Sequence, residues 1–385
     1  MDANASDLTR QYRDRFPIFD NRAYINSCSQ GALAREVRQA YIEYLDGLEE
    51  YGSLWETWVG IQEQVRGELA RTFACDTGEV AITSCASSAV SAIASCFDFT
   101  GPKNTIVTTS LEFPTIGQIW HAQEQRGARV VHVPAGPDNR LFVDDLMAAV
   151  DDSTALVSVT HVCYRNGAMT DIAAIVEAAH ARGVPVLVDA YQSVGAVPLD
   201  FHKIGADFLV GGALKYMLSC PGVGFALANA ATTAEFIPQT TGWFAARDIF
   251  AMDIYDFDPA KDARRFESGT PNVPSLYAAN SGIRLLNEIG VDRAWNVSKE
   301  LHTQLRIGIE DLGGRVVTPA GENEHGPMIA FASTDEHALV AALGEDGVVV
   351  SSRDGNVRIS PHFYNNTDDI HAALSSLAKH KHLLA

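Results

Sequence analysis

The stretch Val184-Pro-Val-Leu-Val-Asp189-Ala-Tyr-Gln192 is apolar without a break until it reaches its aspartate. A strand with one wet face alternates apolar and polar residues, so an unbroken run of this length predicts a strand covered on both faces. Similar runs recur on either side, as Val80-Ala-Ile-Thr83, Thr105-Ile-Val-Thr108, Arg129-Val-Val-His-Val133, Ala155-Leu-Val-Ser-Val-Thr160 and Phe208-Leu-Val-Gly211. Helical patterns separate them, for example Asp171-Ile-Ala-Ala-Ile-Val-Glu-Ala-Ala-His-Ala-Arg182. Short buried strands alternating with helices predict an α/β core with a mostly parallel sheet. Ligands of such sheets sit beyond the carboxyl ends of the strands, where Ser84–Ser88, Phe113, His161–Tyr164 and Asp189 fall.

Lys215 closes the next run, Asp207-Phe-Leu-Val-Gly-Gly-Ala-Leu-Lys215-Tyr216, 26 positions after Asp189. Taken singly, the aspartate is an ordinary βα-loop residue and the lysine an ordinary surface charge. As a pair they match what an aldehyde cofactor with a pyridine ring requires. An amine holds the aldehyde as a Schiff base, and a carboxylate keeps the ring nitrogen protonated while the ring withdraws electrons. Pyridoxal 5'-phosphate is the cofactor of that description.

Four motifs in order carry a family resemblance: Asp189-Ala-Tyr-Gln192, Lys215 with Pro221-Gly-Val-Gly224, Phe266-Glu-Ser-Gly-Thr-Pro-Asn272, and Arg358-Ile-Ser-Pro-His-Phe-Tyr-Asn365. From Tyr24-Ile-Asn-Ser-Cys-Ser-Gln-Gly31 to the Arg358 segment, the chain resembles the class V aminotransferase family. These are fold-type I pyridoxal phosphate enzymes, including cysteine desulfurases, kynureninases and isopenicillin N epimerase-like proteins. The resemblance implies a large cofactor-binding domain over residues 17–274. It also implies a smaller C-terminal α/β domain over 275–385, joined by residues 1–16. The two sites of a homodimer are expected near its interface, and the Asp- and Phe-rich excursion Trp243–Arg265 has the length of a functional or interface-covering loop.

The resemblance also distributes roles. Ala86, through its N–H, and Ser87, through its hydroxyl, match phosphate-holding positions at a helix start, where exposed N–H groups favour anions. Phe113 stands where the family stacks a ring on the pyridine; it can stack but cannot move a proton. Tyr164 matches a position contacting the ring hydroxyl or the substrate, Gln192 one near the ring oxygen, and His161 ranks behind both as a structural residue. Trp243 in Gly242-Trp-Phe244 resembles a kynureninase element near the phosphate, and Thr270 a residue reaching the partner subunit's phosphate. Arg358 is the expected fork for a substrate α-carboxylate. Lys215, Asp189 and Tyr164 are the catalytic candidates.

Three departures narrow the activity. Gly212, Ala213 and Leu214 stand where desulfurases carry Ser and His; Phe113 replaces their His; and the loop Val350–Gly355 holds no cysteine to accept sulfur. The expected activity is a lyase cleaving a β-bond of a small α-amino acid through an external aldimine, C–S lyase-like or kynureninase-like. Transamination and epimerisation are the alternatives on the same fold. A non-catalytic cofactor-binding regulator is the alternative of another class, disfavoured because Lys215, Asp189 and Arg358 are all present.

Composition excludes other classes. The 29 Lys and Arg against 48 Asp and Glu leave a net charge of −19, which opposes binding to nucleic acid or anionic lipid. No apolar run reaches membrane-spanning length, and Met1-Asp-Ala-Asn-Ala-Ser-Asp7 has no basic and apolar leader, so a cytoplasmic location is expected. The six cysteines have neither CxxC pairing nor His partners at metal spacing and read as reduced thiols, with no metal expected. Cys85 and Cys220 lie beside site motifs, where packing is the leading explanation.

Overall fold

The computed structural model describes residues 3–136, 139–321 and 323–385, and side chains from residue 7 onward within them. Residues 1 and 2, which the sequence reading assigns to the smaller domain, lie outside the described residues. The strands are β1 (Ala23–Tyr24), β2 (Val80–Thr83), β3 (Thr105–Thr109), β4 (Arg129–Val133), β5 (Thr154–Thr160), β6 (Val186–Asp189), β7 (Phe208–Gly212), β8 (Gly224–Ala228), β9 (Ile329–Ala332), β10 (Val348–Val349), β11 (Ser351–Arg353) and β12 (Asn356–Ile359). Seven of them form one sheet in the order β2-β8-β7-β6-β5-β3-β4. From β4 to β7 every pairing is parallel. β8 runs antiparallel to both β7 and β2.

The unbroken apolar runs form strands that feed two cores. Val186 and Val188 enter one hydrophobic cluster and Leu187 the other; Leu209 enters the first, Phe208 and Val210 the second. Successive side chains on a strand point to opposite faces, so this division means that both faces of the sheet are covered. All six strands expected from the sequence form. β8 was not anticipated: Gly224-Phe-Ala-Leu-Ala228 carries no β-branched residue, and its place is set by the partners it lies between.

The carboxyl ends of the strands lead into short turns. β2 passes through Ser84 and Cys85 into the helix Ala86–Ala94. β3 leads to the helix Pro114–Ala122, whose proline at the first helical position needs no hydrogen-bond partner for a missing N–H. The link from β7 to β8 carries Lys215. Near the C-terminus, β11, β12 and β9 form an antiparallel sheet beside the helices Glu336–Glu345 and Thr367–Lys379. The N-terminal segment joins this region, since β1 pairs in parallel with β10 and Asn26 bridges Ser360. Helix Val273–Ile289 packs against the helices Arg35–Tyr51 and Trp55–Phe73.

A buried ion pair fixes the start of the sheet. Glu267 Oε1 lies 2.7 Å from Arg66 Nη1 and accepts the Ile82 N–H at 2.9 Å, while Oε2 accepts from Gln62 at 2.9 Å. One carboxylate therefore ties the helix Trp55–Phe73 and β2 to the Phe266–Asn272 motif. Removing Arg66 strands the Glu267 charge in the interior, and removing Glu267 leaves buried Arg66 with only Glu63, at 3.0 Å and half exposed, as counter-ion among the described residues. Glu267→Leu should lower unfolding free energy by about 3–5 kcal/mol in urea denaturation, and Arg66→Met combined with it should recover much of that loss. Additive losses in the double variant would refute the pairing as the source of stability.

Candidate active site

A cleft of about 250 Å³ opens at the carboxyl ends of the central strands, and Lys215 and Asp189 lie in its wall. Ala86, Ser87, Phe113, Tyr164 and Gln192 line it as well, so seven of the residues singled out from sequence converge on one space. Asp189 ends β6, in register with Val210 of β7, and its Oδ1 accepts the Tyr191 N–H at 2.9 Å. Burial pushes its carboxyl pKa up, opposed by that N–H and by the Lys215 charge. Burial also lowers the Lys215 amine to about 8, because a desolvated ammonium is disfavoured. The amine lies 4.6 Å from the centre of the Tyr191 ring, a cation–π contact.

Three distant segments fix the lysine's turn. The Gly31 N–H donates to Leu214 O at 3.2 Å, and Gln30 Nε2 donates to Leu214 O and Ser219 O at 3.1 and 3.0 Å. A β-carbon at Gly31 would sit 2.2 Å from Lys215 O, so this approach requires glycine. His362 Nε2 lies 3.1 Å from Tyr216 O, and the Tyr216 hydroxyl donates to Pro327 O at 3.1 Å. A side chain on such a turn loses little freedom when it engages a ligand.

At one end of the cleft lies the N-terminus of the helix Ala86–Ala94. Its N-cap, Cys85, makes no side-chain capping bond, which leaves first-turn N–H groups available to a ligand. A β-carbon at Gly224 would lie 2.3 Å from the Cys85 carbonyl carbon, so β8 passes directly beneath this turn. The Ser87 hydroxyl is 3.3 Å from that of Thr115, a second lining hydroxyl. The Cys85 thiol also lines the cleft; burial opposes its ionisation, but hydrogen bonds with Ser88, Ser84 and Ser87 together lower its pKa. Cys220 packs against the main core instead.

Phe113 and Tyr164 meet edge to face, with ring centres 4.9 Å apart and an interplanar angle of 81°. Phe113 is 43% exposed, leaving a ring face free for a flat ligand. Behind Tyr164 stands Arg358, only 2% exposed. Its Nη1 donates to Tyr164 O at 2.7 Å and its Nη2 to Ser351 Oγ at 2.9 Å, both neutral oxygens, while Nε is buried without a partner. This differs from an exposed salt bridge. Gln192 donates to Cys28 O at 3.2 Å and keeps its Oε1 buried and unpartnered. A buried polar atom left unpaired is expensive, and a ligand supplying the missing partner recovers that energy.

Three expected residues are not among those that line the cleft within one chain: Arg358, Trp243 and Thr270. Trp243 packs edge-on against Trp55, at 5.7 Å between ring centres, and Thr270 is exposed. His161 is a packing residue: its Nδ1 lies 2.9 Å from Ser193 Oγ, and burial lowers its pKa to about 4. The segment Val350–Gly355, read from sequence as a loop, contains the strand β11 at Ser351–Arg353 and a turn at Asp354-Gly355. β11 and β12 pair around Asp354-Gly355, whose φ values of 56° and 76° fit the two-residue turn for which Asp-Gly is a sequence signal. Tyr191 was missed as a lining residue. Its ring explains Gly212, where a β-carbon would meet that ring at 2.6 Å, and Ala213 beside it is fully buried.

This donor set suits a flat, singly phosphorylated aldehyde: an N–H-rich helix start with hydroxyls, an exposed aromatic face, a buried carboxylate and a partly neutral amine. The Aminotransferase class-V family model matches residues 33–372, and the chain belongs to that family, whose enzymes depend on pyridoxal phosphate. It is 32% identical over 371 residues to the uncharacterized aminotransferase YcbU of Bacillus subtilis (strain 168), covering 96% of this chain and 98% of that one. It is 25% identical over 374 residues to a kynureninase of Geobacillus thermodenitrificans (strain NG80-2), covering 92% and 87%. Among solved structures, a cysteine desulfurase of Thermococcus onnurineus NA1 superposes with a TM-score of 0.86 at 21% identity, over 96% of this chain and 97% of that one. A lysine-to-alanine mutant of C-DES, with glycine covalently linked to its PLP cofactor, gives 0.87 at 22%, over 95% and 98%. The fold is therefore that of the fold-type I enzymes, and the protein is an enzyme.

The depressed amine gives a pH test. Only neutral amine attacks an aldehyde, and its fraction rises roughly tenfold per pH unit below the pKa and then saturates. Uptake of pyridoxal phosphate by the cofactor-free protein should accelerate with pH and level off near the Lys215 value of about 8. A rate still climbing toward 10.5, the ordinary lysine value, would contradict the assignment.

Proposed function

We propose that the cleft binds pyridoxal phosphate on Lys215 and acts on a small α-amino acid, cleaving a bond at its β-carbon. The observation that carries this reading is the placement of the Lys215 amine and the Asp189 carboxylate in one buried wall, facing a helix N-terminus that suits a phosphate. The bound cofactor supplies the electron sink. The protein's own groups do the rest. Asp189 would hold a proton on the ring nitrogen of the bound cofactor. Arg358, whose Nε is unpartnered, orients the substrate carboxylate. The Lys215 amine, once released, takes the α-proton, and its lowered pKa suits that role near neutral pH. Phe113 shields the reacting face from water, and the Tyr164 hydroxyl is the second proton carrier.

Two features support bond cleavage without sulfur capture. The paired strands β11 and β12 hold their short turn and carry no thiol. The Cys28 thiol lies 3.8 Å from Ser351 Oγ but is 1% exposed and anchored at both backbone ends, by Ser360 and Gln192. Transamination is the second reading, supported by the name of the 32%-identical relative. Amino acids with a good β-leaving group, such as β-chloroalanine or cystine, should give a keto acid and ammonia over many turnovers without an added keto acid and without protein persulfide. An absolute requirement for a keto-acid acceptor would replace this reading with transamination. Appearance of the opposite enantiomer alone would replace it with epimerisation.

A further inference from the structure

Glu112 is a buried carboxyl that the reading above does not use. It precedes Phe113 in the turn after β3, and its Oε1 accepts two hydrogen bonds: from the Thr109 hydroxyl at 2.9 Å and from the Thr160 N–H at 2.8 Å. Those donors are the last residues of β3 and β5. The two strands are neighbours, but their register pairs run only as far as Val107 with Val157, so the strand ends part before the cleft. Beyond that point β5 pairs on its other side, with Thr160 opposite Asp189. The Thr160 N–H would lose its ladder partner where β3 leaves it, and the Glu112 oxygen takes that partner's place. Thr109 is fixed in turn, since its hydroxyl also accepts the Leu111 N–H at 3.1 Å.

We propose that Glu112 is a positioning residue of the site, acting as a neutral acceptor that locks the Phe113 turn to the end of β5 beside Asp189. Both hydrogen bonds go to Oε1, whereas Oε2 is buried without a partner, and an unpaired O–H there costs less than an unsolvated half-charge. A carboxylate there would leave half its charge unsolvated, beside the Asp189 carboxylate. Burial first, and the Asp189 charge second, raise the Glu112 pKa to about 8, against the pull of Thr109 and Thr160. Among the described residues, the other charged or titratable groups near it include Lys215, across Asp189, His132 of β4, whose Nδ1 lies 3.3 Å from Thr109 O, and Arg165, whose guanidinium donates to Ser110 O in the same turn. With Glu112 neutral, Asp189 is left as the negative group that would hold a proton on the cofactor's ring nitrogen. Phe113 keeps its height against the cleft because the turn that bears it cannot slide along β5.

Glu112→Gln preserves the neutral acceptor, and Glu112→Leu keeps the volume without it. In the cofactor-free protein, Thr160 amide exchange should stay within about twofold of wild type in the Gln variant and rise about tenfold in the Leu variant. With cofactor bound, the visible circular dichroism of the ring should persist in the Gln variant and fall in the Leu variant. The second readout rests on the proposed cofactor placement and the first does not, so failure of the one is distinguishable from failure of the other. Unchanged exchange in the Leu variant would overturn the positioning role. A Gln variant behaving like the Leu variant would show that charge is needed, overturning the neutral form. Should the Leu variant not fold, infrared difference spectra of wild type against Gln at neutral pH decide: loss of a protonated-carboxyl stretch supports the proposal, and loss of carboxylate bands overturns it.

Discussion

Burying an amine and a carboxylate in one apolar cleft is the constraint around which this molecule is built. Either charge alone in such a place would be costly, and their mutual attraction compensates only if the geometry is held. The parallel sheet supplies that geometry. Asp189 ends β6 and Lys215 lies just past the end of β7, so the two elements carrying the charges are hydrogen-bonded neighbours. Both strands are buried at every position, which gives the pair a stiff support. The same burial lowers the amine's pKa toward neutrality, so the packing that makes the site expensive also makes it reactive.

Around this pair, backbone approaches that admit no side chain bring distant segments together. Gly31 lets the N-terminal segment press on the lysine's turn, and Gly224 lets β8 run under the helix start at Cys85 and Ala86. The N-terminal segment is in turn tied to the C-terminal region by β1 with β10 and by Cys28 with Ser360. Arg358 comes from β12 and reaches Tyr164. A movement of the C-terminal sheet would therefore shift the arginine, the tyrosine carbonyl and the lysine's turn together.

Much of this was legible in the residues. Unbroken apolar runs specify strands buried on both faces because no wet face interrupts them, and the sheet followed from them. Lys215, Asp189, Ala86, Ser87, Phe113, Tyr164 and Gln192 lie at strand ends or helix starts, where topology alone concentrates ligands, and they line one cleft. What escaped depended on contacts remote in sequence. β8 has weak intrinsic preference and is defined by its neighbours. Gly212, one of the residues standing where desulfurases carry Ser and His, owes its glycine to the Tyr191 ring packed against it, which local sequence does not reveal. Glu112 and Glu267 carry no local sign of burial, since nothing in their neighbouring residues reveals that a strand end or an arginine awaits them. Asp354-Gly355 is a hairpin signal that sequence alone offered and that the loop reading passed over. Trp243 and Thr270 lie away from the cleft in one chain, so the contacts that the resemblance assigns to them are not made there.

Lys215 is the residue proposed to carry the cofactor. Borohydride reduction of the cofactor-loaded enzyme, followed by peptide mapping, tests this most directly. The account predicts a single reduced adduct on the peptide containing Lys215, absent from the Lys215→Ala variant. An adduct on another lysine in the wild-type enzyme, or an undiminished one in the variant, would contradict it.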